Sequence, residues 1–259
     1  MPGAAITWFG HACVLFELDG ARLLTDPLLR RRAADPPLSI PRSEELADLD
    51  VVLISRVHYD HLDLPSLDLL PRQTPLVTPR GVGPLLREHG FLDVTELVAG
   101  EALEVNGVGV RAMHAEDRPR HGPIAASAPS LGFLLGGTET IYFAGATGVY
   151  RRSPEPGRRL DVAVLPVAGE ARQPPPRHLE PDSAVDALRV LRPRFAVPIQ
   201  WRTFRPLHAD TPAPRTPDPR EHFARRAREL APDVDVALLA PGERWAVGAA
   251  HAGFTPTGR

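Results

Sequence analysis

The sequence predicts an α/β fold, and three observations carry that reading. The first half is a series of short β-type runs separated by turn signals. Two nearly continuous apolar runs, residues 50–55 (DVVLIS) and 161–167 (DVAVLPV), have the composition of strands covered on both faces. The second half alternates such strands with stretches of helical periodicity.

Taken in order, residues 6–9, 13–18 and 21–26 read as strands, broken at Gly10 and at Asp19-Gly20, a hairpin signal. The apolar run 50–55 follows, then short helices at 65–70 and at 83–88, the second ending near Gly90. Strands return at 104–105, 108–113, 131–135, 139–144 and 161–167. Residues 182–191 place apolar side chains at 184, 185, 188 and 191, a helical spacing that Pro193 stops. After a strand at 195–199, Asp218-Pro219 pairs a capping side chain with proline at the first helical position, and that helix runs to about Leu230. Strands at 234–239 and 244–247 close the chain. The Arg/Pro-rich stretch 30–42 and the segment 169–179 (GEARQPPPRHL) read as long irregular loops of the kind that cover binding sites. There is no repeat at a fixed period.

The 259 residues suit a single domain spanning 1–259, with enough chain to bury a core. Thirty cations oppose 32 anions, a net charge of −2, and every cation is arginine. A near-zero balance argues against a nucleic-acid binder, which carries a strong positive excess. Most of the arginine bias reads as GC-rich coding. The lone Cys13 excludes an internal disulfide and any cysteine-rich zinc or iron–sulfur site. The opening residues lack a basic stretch followed by an apolar core, and no apolar run reaches membrane-spanning length, so the expected location is cytoplasmic.

The densest chemistry lies in residues 55–63, SRVHYDHLD, directly after the apolar strand. His58, Asp60 and His61 fall within four residues at a strand end, where sites form in α/β layers. Imidazole and carboxylate this close suit a first-row metal such as zinc. Elsewhere, His11 in the Gly-His-Ala turn reads as a satisfied buried histidine.

In these segments the chain resembles the metallo-β-lactamase fold superfamily, and within it the branch of ascorbate-6-phosphate lactonases and N-acyl-phosphatidylethanolamine phospholipase D-type enzymes. Six ordered segments carry the resemblance: ITWFGHACVLFELDGARLLTDPLL, SRVHYDHLD, MHAEDR, YFAGATGVY, HLEPDSAVDAL and VPIQWRTF. It implies a four-layer αββα sandwich with the site along one edge. It also implies one or two metals held by up to seven side chains, and this chain departs from that set. Arg56 stands at the first histidine of the loop, Ala146 at the bridging aspartate, Gln200 at the last histidine and Arg202 at a glycine. The surviving family ligands are His58, Asp60, His61 and His114.

A guanidinium cannot deprotonate to ligate a metal, and it repels one nearby. The departures therefore favour a pocket without metal or other cofactor. There His58, Asp60, His61 and His114 would do acid/base chemistry, such as elimination, isomerisation or cyclisation, on an anionic small molecule. Arg56, Arg202, Gln200, Arg118 and His178 would bind that substrate, with Arg56 pairing Asp60. Two readings stand beside this one. The first is a non-catalytic binding or regulatory protein. The second is a single-metal hydrolase of a lactone or phosphoester, its zinc or other divalent ion held among His58, Asp60, His61 and His114.

Overall fold

The computed structural model describes residues 3–30, 38–116, 128–145, 160–167, 179–201 and 218–250. The first half runs β1 (Ala5–Gly10), β2 (Cys13–Leu18), β3 (Ala21–Thr25), α1 (Ser43–Ala47), β4 (Val51–Leu53), α2 (Leu64–Leu67), β5 (Leu76–Pro79), α3 (Gly83–Glu88) and β6 (Val94–Leu97). The second runs β7 (Ala102–Val105), β8 (Val108–His114), β9 (Leu131–Gly136), β10 (Thr140–Phe143), β11 (Val162–Pro166), α4 (Pro181–Leu191), β12 (Phe195–Ile199), α5 (Pro219–Leu230), β13 (Asp235–Val236) and β14 (Glu243–Ala246).

These strands form two seven-stranded mixed sheets, ordered β14-β1-β2-β3-β4-β5-β6 and β13-β12-β11-β10-β9-β8-β7. Each has an antiparallel half and a parallel half, the parallel part running β3 to β6 in one and β10 to β13 in the other.

Strand periodicity separates the layers. Ile6 and Trp8 of β1, Val14 and Phe16 of β2, and Val51 and Leu53 of β4 join the central core, where they meet Val110, Phe133, Ile141 and Phe143 of the second sheet. The alternate residues Phe9, Leu15, Leu24 and Val52 face the other way. They pack with Leu46 of α1, Leu67 of α2 and Leu86 of α3. On the second sheet α4 packs against β11 and α5 against β12. Helices, sheet, sheet and helices make the expected αββα sandwich. Phe16 and Phe143 close the inter-sheet contact edge to face, their ring centroids 6.1 Å apart.

The helix signals of the second half act as read. Asp218 caps α5 by accepting from Arg220 N, with Pro219 at the first turn. At α4, Ser183 Oγ accepts from Glu180 N at 2.8 Å. Several elements differ from expectation. The helix at 65–70 is a single turn, Leu64–Leu67, and of 234–239 only Asp235–Val236 pairs as strand. The strands β5 and β6 and the helix α1 had no sequence signal; β6 exposes Thr95, as an outermost strand can.

One edge of the sandwich gathers the C-terminal ends of β1, β3, β4 and β12. There the sheets are tied directly, Leu131 N donating to Ser55 O at 2.8 Å. Gly145 lies against the same link at φ +62°, where a Cβ would sit 2.5 Å from the Leu131 carbonyl oxygen. Only glycine allows that approach.

Phe143 is fully buried between the sheets. Phe143→Ala is expected to cost about 3–5 kcal/mol, read as a lowered denaturant midpoint with an unchanged slope.

Candidate metal centre

The polar groups of the site stand on the turns and loops that leave the C-terminal ends of apolar strands. His11 follows β1, Asp26 follows β3, the loop from Ser55 to His61 follows β4, and Gln200 follows β12. The strands fix these positions because their own backbone groups are consumed in the ladders.

His61 is the centre of the cluster and is fully buried. Its Nδ1 lies 2.7 Å from Asp26 Oδ2. Asp26 is itself held by Ser55, which donates from its backbone N at 2.7 Å and from Oγ at 2.6 Å. Burial pushes the Asp26 carboxyl up to about 7, against the pull of the Ser55 hydrogen bonds. Burial likewise holds the His61 imidazolium well below its ordinary range, helped by the Arg56 cation. His61 is therefore a neutral imidazole. Arg56 can only donate, so Nε2 carries the lone pair and the proton sits on Nδ1, directed at Asp26.

Three groups surround that lone pair. Arg56 Nη2 lies 2.9 Å from Nε2, the Gln200 amide nitrogen 3.3 Å and Asp60 Oδ2 3.9 Å. Asp60 Oδ2 in turn lies 3.3 Å from His11 Nε2. Burial alone would raise the Asp60 pKa, but the hydrogen bond from His11 and the charge of Arg56 are among the causes that hold the carboxyl far below its usual range. Asp60 is thus an anion, and its buried Oδ1 makes no hydrogen bond among the described residues.

The loop is pinned at its far end by Asp63. Its carboxylate takes Ser66 N at 3.1 Å and Arg30 Nε at 2.8 Å, capping α2 and tying the loop to the end of β3.

The residues fit one metal ion. His11, Asp60 and His61 each offer a ligand atom, and the three atoms lie within 4.8 Å of one another. Bonds of about 2.0–2.1 Å in a tetrahedron put ligand atoms roughly 3.3 Å apart. The His11–Asp60 and Gln200–His61 separations, both 3.3 Å, match that spacing. Gln200 would ligate through its carbonyl oxygen, which one amide rotation brings to the nitrogen's place. The Asp60 Oδ1 without a partner and the neutral His61 are the states a metal requires.

Of the residues singled out in the sequence, Asp60, His61, Arg56 and Gln200 come together here. His58 is half-buried on the same loop, close enough to affect the His61 charge, and His114 is exposed at the end of β8. Neither belongs to the cluster of three. Arg56 hydrogen-bonds His61, and its charge also acts on Asp60, with which it was expected to pair. Arg118, His178 and Arg202 lie outside the described residues. Sequence reasoning missed His11, read as a satisfied core histidine, and Asp26, which lies in the Thr-Asp-Pro of the opening segment but was given no role. Both follow directly on the last residue of a strand.

Comparison with known proteins agrees with this geometry. Residues 5–200 match the beta-lactamase superfamily domain. The chain is 30% identical over 247 residues to a metal-dependent hydrolase of Methanopyrus kandleri, covering 93% of this chain and 98% of the relative. It is 29% identical over 238 residues to an N-acyl-phosphatidylethanolamine-hydrolyzing phospholipase D of Caenorhabditis elegans, covering 78% of this chain and 65% of that one. Among solved structures, the metallo hydrolase Igni18 of Ignicoccus hospitalis superposes with a TM-score of 0.70 at 22% identity, covering 93% of this chain and 97% of that one. Among the described residues, no helix is long and apolar enough to cross a membrane.

These findings correct two expectations, that the chemistry is metal-free and that there is no cofactor. A relative matching nearly end to end is a metal-dependent hydrolase, and His11, Asp60 and His61 stand together as a ligand set. The sequence argument counted only the family's lost ligands and left out His11. Because Asp26 sets the tautomer of a metal-binding imidazole, Asp26→Asn is expected to weaken metal affinity about 10–100-fold, measured by competition with a chromogenic chelator.

Proposed function

We propose that this chain, which belongs to the beta-lactamase superfamily, is a hydrolase that works through a single divalent metal ion held by His11, Asp60 and His61, with Gln200 completing the set. The observation that supports this reading is the convergence of those three ligand atoms on one point at the sandwich edge. When bound, the ion supplies Lewis-acid polarisation and an activated water.

The chain's own residues supply the rest. Asp26 holds His61 so that Nε2 faces inward. Asp60 contributes the negative charge that a divalent ion needs in a buried place. His58, half-buried on the same loop, is the imidazole available to hold or return a proton at the leaving oxygen. Arg56 adds positive charge beside the centre, which favours an anionic substrate. A lactone or phosphoester of an anionic small molecule meets these demands. The phospholipase name of the nematode relative supports the phosphoester.

Metal analysis of the purified protein, paired with hydrolysis of a chromogenic phosphodiester and a lactone series, tests the reading. One equivalent of divalent metal is expected, with activity lost on chelation and restored by metal. Asp60→Ala and His11→Ala are expected to lower metal affinity by more than about 100-fold, since each removes a direct ligand where loss of a supporting partner alone costs 10–100-fold. A protein that binds no divalent ion with measurable affinity overturns it.

A further inference from the structure

We propose that Arg56 is a built-in competitor for the metal, its guanidinium holding the one lone pair of His61 that the ion must take, so that metal binding and anion binding at Arg56 reinforce each other. The inference rests on the single-metal reading and adds to it a coupling between metal and substrate.

The geometry at His61 leaves no alternative route. Nδ1 is committed to Asp26 at 2.7 Å. The other nitrogen, Nε2, has Arg56 Nη2 at 2.9 Å. A neutral imidazole nitrogen has a single in-plane lone pair, which cannot accept an N–H and bind a metal at the same time. Arg56 cannot give way by losing its proton, because a guanidinium stays charged in proteins. It must turn aside, and it is buried, with 3% of its surface exposed. Loading the ion therefore breaks a charged hydrogen bond inside the protein and places a second cation beside the first.

A displaced guanidinium has a defined use. Its fork of donors matches a carboxylate or phosphate with two parallel hydrogen bonds. An oxyanion engaging Arg56 holds it away from His61 and leaves Nε2 open for the ion. By linkage, the anion then tightens metal binding by the same factor as the metal tightens anion binding. This coupling would make the loaded site selective for substrates bearing an oxyanion within reach of Arg56.

The test is titration of the metal-free protein with cobalt(II), followed by its visible absorption, with and without inorganic phosphate. The proteins compared are the natural chain, Arg56→Met, and Arg56→Gln as a second variant should the first not fold. Removing the competitor is expected to tighten cobalt binding about 10–100-fold, the range set by one hydrogen bond to a charged group. Phosphate is expected to tighten cobalt binding to the natural chain and to leave the variant unchanged. Equal cobalt affinities in natural chain and variant overturn the competitor and leave the single-metal reading standing. Tighter binding in the variant with no phosphate effect on the natural chain overturns the coupling. Absence of cobalt binding in every protein overturns this proposal together with the reading it rests on.

Discussion

The site depends on one interaction, the buried hydrogen bond between Asp26 and His61. A carboxylate and an imidazole withdrawn from water are both costly unless they satisfy each other. Here the pair is closed further by two Ser55 donors on Asp26. The consequence is a fixed tautomer and a fixed ring plane, with Nε2 pointing at Asp60, Gln200 and Arg56. Ser55 also connects this polar pair to the architecture, because its carbonyl accepts the Leu131 amide of the second sheet. The joint between the sheets and the orientation of the central ligand are thus one structure, and a shift of either sheet would disturb the ligand.

The fold was legible where the pattern was long enough to be decisive. The runs 50–55 and 161–167 read as covered strands because both faces of β4 and β11 are buried, one against the facing sheet and one against helices. The caps at Asp218 and the helical spacing before Pro193 located α5 and α4. The strands β5 and β6 escaped notice because each is four residues long, and β6 exposes Thr95. Their existence is settled by pairing in a parallel sheet, a non-local property. Helix α1 likewise has one buried side chain, Leu46, too few to set a period.

The site was half legible for a related reason. Asp60 and His61 are neighbours in sequence, so spacing alone brought them forward. His11 and Asp26 come from other strands, and Asp26 is 35 residues from the imidazole it orients. Counting ligands within a known pattern then misled: each lost family position was noted, and a new donor from the first hairpin was not. The charge argument was sound in its physics and wrong in its conclusion. Arg56 does oppose a metal, but it stands against three ligands, one of them an anion, and against a single ion.

Backbone strain gives an independent sign that these positions are held for a purpose. Among the described residues, six that are not glycine adopt positive φ. His11, Asp19 and Asn106 sit in hairpin turns, and Arg192 caps α4, all places where a left-handed residue is ordinary. The remaining two are Asp26 and Gln200, at φ of +37° and +59°. Such residues cost on the order of 1–3 kcal/mol each and persist only where the surroundings enforce them. The enforcement is visible. Trp8 Nε1 and Gln200 N both donate to the His11 carbonyl, at 2.9 and 3.2 Å, and Asp26 N donates to Leu53 O at 3.0 Å. These turns carry the chain sharply past β3 and β12 and aim Asp26 and Gln200 at His61. Strain at Asp26 and Gln200, which both lie against His61, fits a held site better than an inherited remnant, because a remnant has no function to offset its cost.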